Sequence, residues 1–373
     1  MPEQKLVTFR ADASLQIGTG HVMRCLTLAD ALAAKGADCR FIFRAHEGNL
    51  IDFIGSKGYV THALPTATAG SSSITLLLDT PATELAHGHW LGATQAQDAE
   101  ACAPILAAQR PDWLIVDHYA LDARWEHALA PHYRKLMVID DLADRLHACD
   151  LLLDQTFGRE AKDYRPLVPD ACHLLCGSHY ALLRPEFAAL RAYSLQRRAR
   201  PALRELLITM GGVDKDNATG QVLQALRTCP LPADCRITVV MGATAPWLED
   251  VRKQAQDMPW PTRVLVGVSE MAQLMADSDL AIGAAGATSW ERCCLGVPTI
   301  MLVLAANQLK VAQGLEQAGA AALVAAASSS DYQLAALLGT LTSSPERLRA
   351  MSESSAAIVD GIGTRSAIAF LES

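Results

Sequence analysis

The chain is 373 residues long, 50% hydrophobic and 19% charged, with a formal charge of −8; that length exceeds one ordinary core and suits two domains of roughly 150 to 200 residues each. The acidic balance excludes the dense basic stripe of a nucleic-acid surface, and the apolar residues fall in short runs, none reaching the about 18 residues of a membrane span. Ten cysteines with no paired Cys-x-x-Cys array read as small buried hydrophobes in a reducing compartment rather than as zinc ligands or disulfides.

Met1 to Lys5 leads straight into an apolar strand without the basic start and long apolar run of a signal peptide, so a cytoplasmic protein is expected. Val7–Arg10 reads as the first strand, and Gly18-Thr19-Gly20-His21 follows it and opens a helix over Val22–Ala34. This is half of a dinucleotide fingerprint. It fails at the third glycine, where Met23 would crowd the approach of helix to strand, and no clear acid follows the second strand, Phe41–Phe43, to hold a ribose. His21 stands at a helix start, where the dipole disfavours the protonated ring, and a neutral imidazole can act as a base. A buried or capping histidine is the alternative, and the spacing leaves both open. Asp12 and Ser14 in the same loop would orient the ring or cap the turn.

Leu64 to His89 is rich in Thr, Ser, Ala and Gly without a period and reads as a loop or insertion. A helix over Glu100–Gln109 and strands at Trp113–Val116 and Leu136–Ile139 come next. Tyr119, in Asp117-His118-Tyr119 at the end of the first of these strands, is either a hydrogen-bonding partner for a sugar or a half-buried cover for the sheet end. Asp140, Asp141 and Asp144 form an acidic turn, read chiefly as exposed. From Ala188 to Arg204 the apolar rhythm lapses, which predicts a boundary between domains at 1–190 and 204–373, with Arg197, Arg198 and Arg200 in water on a linker helix.

Strands follow at Leu206–Thr209, Ile237–Val240, Val264–Val266, Leu280–Ile282 and Thr299–Leu302. The repeated strand–helix rhythm predicts an α/β protein of two Rossmann-like doubly wound domains facing across a cleft, with chemistry in the loops beyond the carboxyl ends of the strands. Gly211 and Gly212 begin one such close-approach loop. Asp214-Lys215-Asp216 superficially resembles a divalent-metal motif, but Asp216 and Asn217 stand where they can cap the next helix. In Gly283 to Glu291 the small residues, among them Gly286, let backbone N–H groups reach phosphate beside Thr288 and Ser289, and Glu291 one turn on can accept both ribose hydroxyls. Nucleotide binding is favoured there over a first-turn acid that only complements the dipole.

Together Arg10 to Ser14, Gln16 to His21, Val116 to Tyr119, Tyr180 to Phe187, Met210-Gly211-Gly212 and Asn307-Gln308 resemble the UDP-2,4-diacetamido-2,4,6-trideoxy-β-L-altropyranose hydrolases of pseudaminic acid biosynthesis, the PseG family. The resemblance implies the glycosyltransferase-B fold, a UDP-sugar substrate, water as acceptor, and no metal or other cofactor. It also implies His21 as the base that activates water for inverting attack at the anomeric carbon. Tyr119 would position substrate or water, Asn307 would contact the sugar or phosphate, Glu291 the ribose, and backbone around Val268 and Met271 the uracil. Gly20, Arg184 and Asn217 complete the implied site. No nucleic acid or membrane partner is expected, and the chain is expected to be a monomer or weak oligomer. Two departures stand out: the Leu64–His89 stretch, and Asp154-Gln155 where an asparagine is expected. A glycosyltransferase of the same fold and a non-catalytic nucleotide-sugar-binding regulator are the rival readings.

Overall fold

The computed structural model describes residues 4–66, 85–305, 308–324 and 330–372. They form two compact units: 1–155 with 159–180 and 364–373, and 156–158 with 181–363. The first carries a sheet of β1 (Leu6–Ala11), β2 (Asp38–Arg44), β3 (Val60–Leu64), β4 (Trp113–Asp117), β5 (Lys135–Ile139), β6 (Leu151–Asp154) and β7 (His173–Cys176) in the order β3-β2-β1-β4-β5-β6-β7. The second carries β8 (Glu205–Thr209), β9 (Arg236–Met241), β10 (Thr262–Val266), β11 (Leu280–Ala284), β12 (Thr299–Leu302) and β13 (Ala321–Val324) in the order β10-β9-β8-β11-β12-β13. Every pairing in both sheets is parallel.

Parallel strands covered on both faces need continuous rather than alternating apolar residues. β4, β11 and β12 are accordingly buried at every position. The strand order reverses once in each sheet, between β1 and β4 and between β8 and β11. At such a switch point neighbouring strands send their helices to opposite faces, so the loops leaving their carboxyl ends part and leave a crevice for ligand. The loop Asp12–Thr19 leaves β1, and β4 ends on Asp117. In the second unit the loops 210–217 and 285–287 leave β8 and β11.

The expected boundary moves. The arginine-rich helix Pro185–Arg198 belongs to the second unit and is no solvated linker. Arg198 is 5% exposed and donates to the carbonyls of Met275, Ala276 and Ser278, where the helix Met271–Asp277 ends. Arg191 donates to Ala356 and Val359, Ser194 to Leu295, and Arg197 pairs with Asp279. Arg191, Ser194 and Arg198 thus bond carbonyls at helix ends, a use of polar side chains that an apolar periodicity does not register. The last helix, Gly363–Glu372, returns to the first unit: Trp113 and Lys5 donate to the carbonyl of Leu371.

Nine of the ten cysteines are buried and Cys176 is half-buried, in keeping with their reading as small buried hydrophobes. β3, β6, β7 and β13 have no counterpart in the sequence-based strand assignment; each has four or five residues, and β3 is an edge strand with Val60 49% exposed. No helix among the described residues is long and apolar enough to cross a membrane.

Candidate active site

In the first unit the glycine turn is closed by Ser14. Its Oγ accepts from the N–H groups of Gln16 and Ile17, and its carbonyl from Gly18, which takes the left-handed φ of 79°. His21 is the second residue of the helix Gly20–Ala33 and 9% exposed, and a Cβ on Gly20 would meet nothing within 4 Å. Its Nδ1 lies 2.6 Å from Oδ1 of Asp117, the fully buried last residue of β4. Arg24 lies one turn further along the same helix face. It grips both oxygens of Asp117 at 2.5 and 2.8 Å and reaches Asp141 Oδ2 at 2.6 Å. Tyr119 donates its phenol to the same Asp141 oxygen at 2.8 Å and meets the His21 ring edge-on, centroids 4.6 Å apart.

Burial on its own would raise the Asp117 pKa; Arg24, and then His21, outweigh it and hold the carboxyl well below the usual carboxylate range. A carboxylate so held takes the imidazole N–H on Nδ1 and leaves Nε2 as the basic nitrogen. Burial, then Asp141, pushes the Tyr119 phenol well above its ordinary value, so the ring stays protonated.

The partner expected of His21 is therefore corrected. Asp12 does not orient the ring; its Oδ1 accepts from Arg10 and from the N–H of Arg44, and its Oδ2 lies 3.2 Å from His118 Nε2. Ser14 serves only the turn. Asp117, Arg24 and Asp141 are the residues that sequence reasoning missed as a group. The signals were an acid closing an apolar strand and an arginine three residues after the histidine. Asp141 is not merely an exposed acid, and Asp140 is buried, bonded by Tyr164 and Arg145. Asp154, at the departure noted in the sequence, is buried and pairs with Arg159 and Tyr164.

In the second unit Gly211 takes a φ of 95°, and Gly212 presses so closely on β9's exit that a Cβ on Gly242 would lie 2.0 Å from its carbonyl oxygen. Asn217, at φ 55°, caps the helix Ala218–Leu226 by accepting from Gly220 N–H at 3.1 Å, so its side chain is engaged in the fold rather than presented to a ligand. The capping acid is Asp214, not Asp216: it accepts from the N–H groups of Ala218 and Thr219 at 2.8 and 2.9 Å.

After β11 the turn to helix Thr288–Cys294 is organised by Arg292, 1% exposed, which donates to the hydroxyls of Thr288 and Ser289 and to the carbonyl of Ala284 at 3.1, 3.1 and 2.7 Å. Gly283 is the glycine this packing requires, since a Cβ there would sit 2.6 Å from the guanidinium. Ser289 is 1% exposed and faces inward, whereas Gly286 and Thr288 remain half-buried and Ala287 exposed. Burial pushes half-buried Glu291 up to about 7, with Arg184 and then Arg292 drawing it back. Arg184 pairs with Glu186 at 3.0 Å and lies over the Phe187 ring. Val268 and Met271 are half-buried beyond the carboxyl end of β10. Asn307 lies outside the described residues.

Residues 206–363 match the Glycosyltransferase family 28 C-terminal domain. The chain is 27% identical over 314 residues to a UDP-2,4-diacetamido-2,4,6-trideoxy-β-L-altropyranose hydrolase of Campylobacter jejuni, covering 84% of this chain and 97% of that protein. It is 32% identical over 146 residues to the spore coat polysaccharide biosynthesis protein SpsG of Bacillus subtilis, 39% of this chain and 42% of that one. The crystal structure of MurG from Acinetobacter baumannii superposes with a TM-score of 0.68 at 15% identity, covering 99% of both chains. The chain is thus similar along most of its length to a PseG-type UDP-sugar hydrolase, has the glycosyltransferase-B fold, and matches the family 28 C-terminal domain over residues 206–363 of its second unit.

Proposed function

We propose that the protein hydrolyses UDP-2,4-diacetamido-2,4,6-trideoxy-β-L-altropyranose at the anomeric C–O bond, releasing UDP and the free sugar for pseudaminic acid biosynthesis. The observation that carries the chemistry is His21, held by the Asp117 carboxylate so that Nε2 is basic. Similarity to the Campylobacter hydrolase along most of both chains supports this choice of substrate. Water gives its proton to Nε2 while its oxygen bonds to the anomeric carbon from the face opposite the diphosphate. The C–O bond breaks with its electron pair going to UDP, and the configuration inverts. The imidazolium that forms is stabilised by Asp117, and such a base contributes about 10²–10⁴-fold to rate. Tyr119, fixed by Asp141, positions substrate or water.

On this reading the second unit takes the UDP. Backbone N–H groups of the turn 286–288, with the Arg292 charge behind them, meet the negative charge growing on the leaving diphosphate, so the step needs no metal. Glu291 takes the ribose hydroxyls, the loop at Val268 and Met271 the uracil, and Arg184 lies near the ribose acid. Asn307 would contact the sugar or phosphate, as the resemblance of the Asn307-Gln308 motif implies. The family 28 match favours a second reading, a glycosyltransferase with a sugar or lipid hydroxyl as acceptor. UDP release from this UDP-sugar without an acceptor, lost in His21→Asn, supports hydrolysis; strict acceptor dependence would sink it.

A further inference from the structure

The stretch left without a period in the sequence ends by bringing aromatic rings to the base. Gly88–Leu91 forms a short 3-10 turn anchored by Leu91, which is 1% exposed in the first unit's core. Gly92 follows at a φ of 67°, where a Cβ would lie 2.8 Å from the His46 ring. Thr94 then opens the next helix with a capping box, exchanging hydrogen bonds with Gln97. Anchored on its C-terminal side, the turn holds Trp90 half-buried, its ring centroid 6.3 Å from His21 and 5.7 Å from Tyr119, 24° from parallel with the latter. His87 packs 4.4 Å from Trp90 and 5.4 Å from Tyr119. Trp125 shows what a purely structural tryptophan does in this unit: it is 1% exposed, and its indole N–H donates to Asp98. Trp90 is neither so buried nor so placed.

We propose that Trp90 determines sugar specificity: with His87, and backed by the buried Tyr119, it forms an aromatic wall on which the C–H face of the pyranose lies beside His21. Such a wall gains from burying methyl and acyl groups, and it penalises hydroxyls that lose water without gaining a partner. The substrate class it selects is a 6-deoxy hexose acylated on two nitrogens, in preference to one that keeps its 4- and 6-hydroxyls. This inference rests on the UDP-sugar reading above.

The test is acceptor-free UDP release by the full chain from the trideoxy diacetamido UDP-sugar and from UDP-N-acetylglucosamine, in wild type, Trp90→Ala and Trp90→Phe. Trp90→Ala is expected to raise KM for the deoxy sugar about tenfold and change kcat less than about threefold, the signature of lost binding common to ground and transition states. Its preference over UDP-N-acetylglucosamine narrows by a similar factor, Trp90→Phe restores both, and affinity for UDP itself is unchanged. An unchanged KM and preference in Trp90→Ala, with wild-type turnover intact, overturns the wall and leaves the hydrolase reading standing. A parallel loss of UDP affinity overturns it too, because the effect is then general. If wild type releases no UDP, the hydrolase reading fails instead. Calorimetry then decides the wall: a gain in affinity of UDP-sugar over UDP that survives in Trp90→Ala overturns it.

Discussion

The two switch points handle charge in opposite ways. In the first unit Arg24 and the two carboxylates near His21 are matched to one another: Asp117 takes His21 and both arms of Arg24, and Asp141 takes Arg24 and Tyr119. In the second unit Arg292 donates only to neutral oxygens, and Glu291 is pushed up to about 7 by burial. A matched network holds a base in one tautomer and one orientation. Mismatched charges instead make ionisation sensitive to whatever binds beside them. The first arrangement suits proton transfer, the second a polyanionic nucleotide.

The comparison is broken most severely at the matched site. His21→Asn, close in shape but with no basic nitrogen, is expected to lower kcat about 10²–10⁴-fold with UDP affinity intact, measured by UDP release and calorimetry. Asp117→Asn should fall in the same range, because the ring loses the carboxylate that fixes its tautomer. It should also cost about 3–5 kcal/mol in denaturant unfolding, since Arg24 is left buried without its main partner. A variant that kept full activity would show that Asp117 does not orient the base.

Smaller effects are expected away from the first site. Arg198→Ala removes the donor from three carbonyls at the end of the helix Met271–Asp277, and should destabilise the second unit by about 1–3 kcal/mol while leaving kcat unchanged. Denaturant unfolding and UDP release on the same preparation check this.

Glu291 gives the smallest and most specific effect. Its folded pKa, about 7, lies above the unfolded value, so its contribution to stability is fully present below the unfolded pKa, about 4.3, and is lost as pH rises through about 7. Thermal unfolding of wild type should therefore weaken over that window more than that of Glu291→Gln. Ribose hydroxyls donate to the ionised carboxylate, so UDP affinity should rise between pH 6 and 8 in wild type relative to Glu291→Gln, by roughly the few-fold expected of one added charged hydrogen bond. Identical pH profiles for the two proteins would remove Glu291 from the ribose site.

Much of this frame was legible because parallel sheets require it. Apolar runs such as Trp113–Val116 and Thr299–Leu302 announce strands buried on both faces, and Gly18 announces a turn with positive φ. What periodicity could not give was partnership across the chain. Asp117 meets His21 over a separation of 96 residues, through the pairing of β1 with β4. Arg198 looked solvated because its charge, and not the carbonyls it caps, is what a sequence displays. Asp12 and Ser14 were plausible partners for the ring because they are near in sequence; the strand direction turns Asp12 toward Arg10, Arg44 and His118 instead.

The most direct test of the central claim, attack of His21-activated water on the anomeric carbon, is hydrolysis of the altrose-configured UDP-sugar in heavy-oxygen water with both products weighed by mass spectrometry. Attack at carbon puts the label in the free sugar and none in UDP, with release slowed about 10²–10⁴-fold in His21→Asn. Label in UDP would place the attack at phosphorus and contradict it.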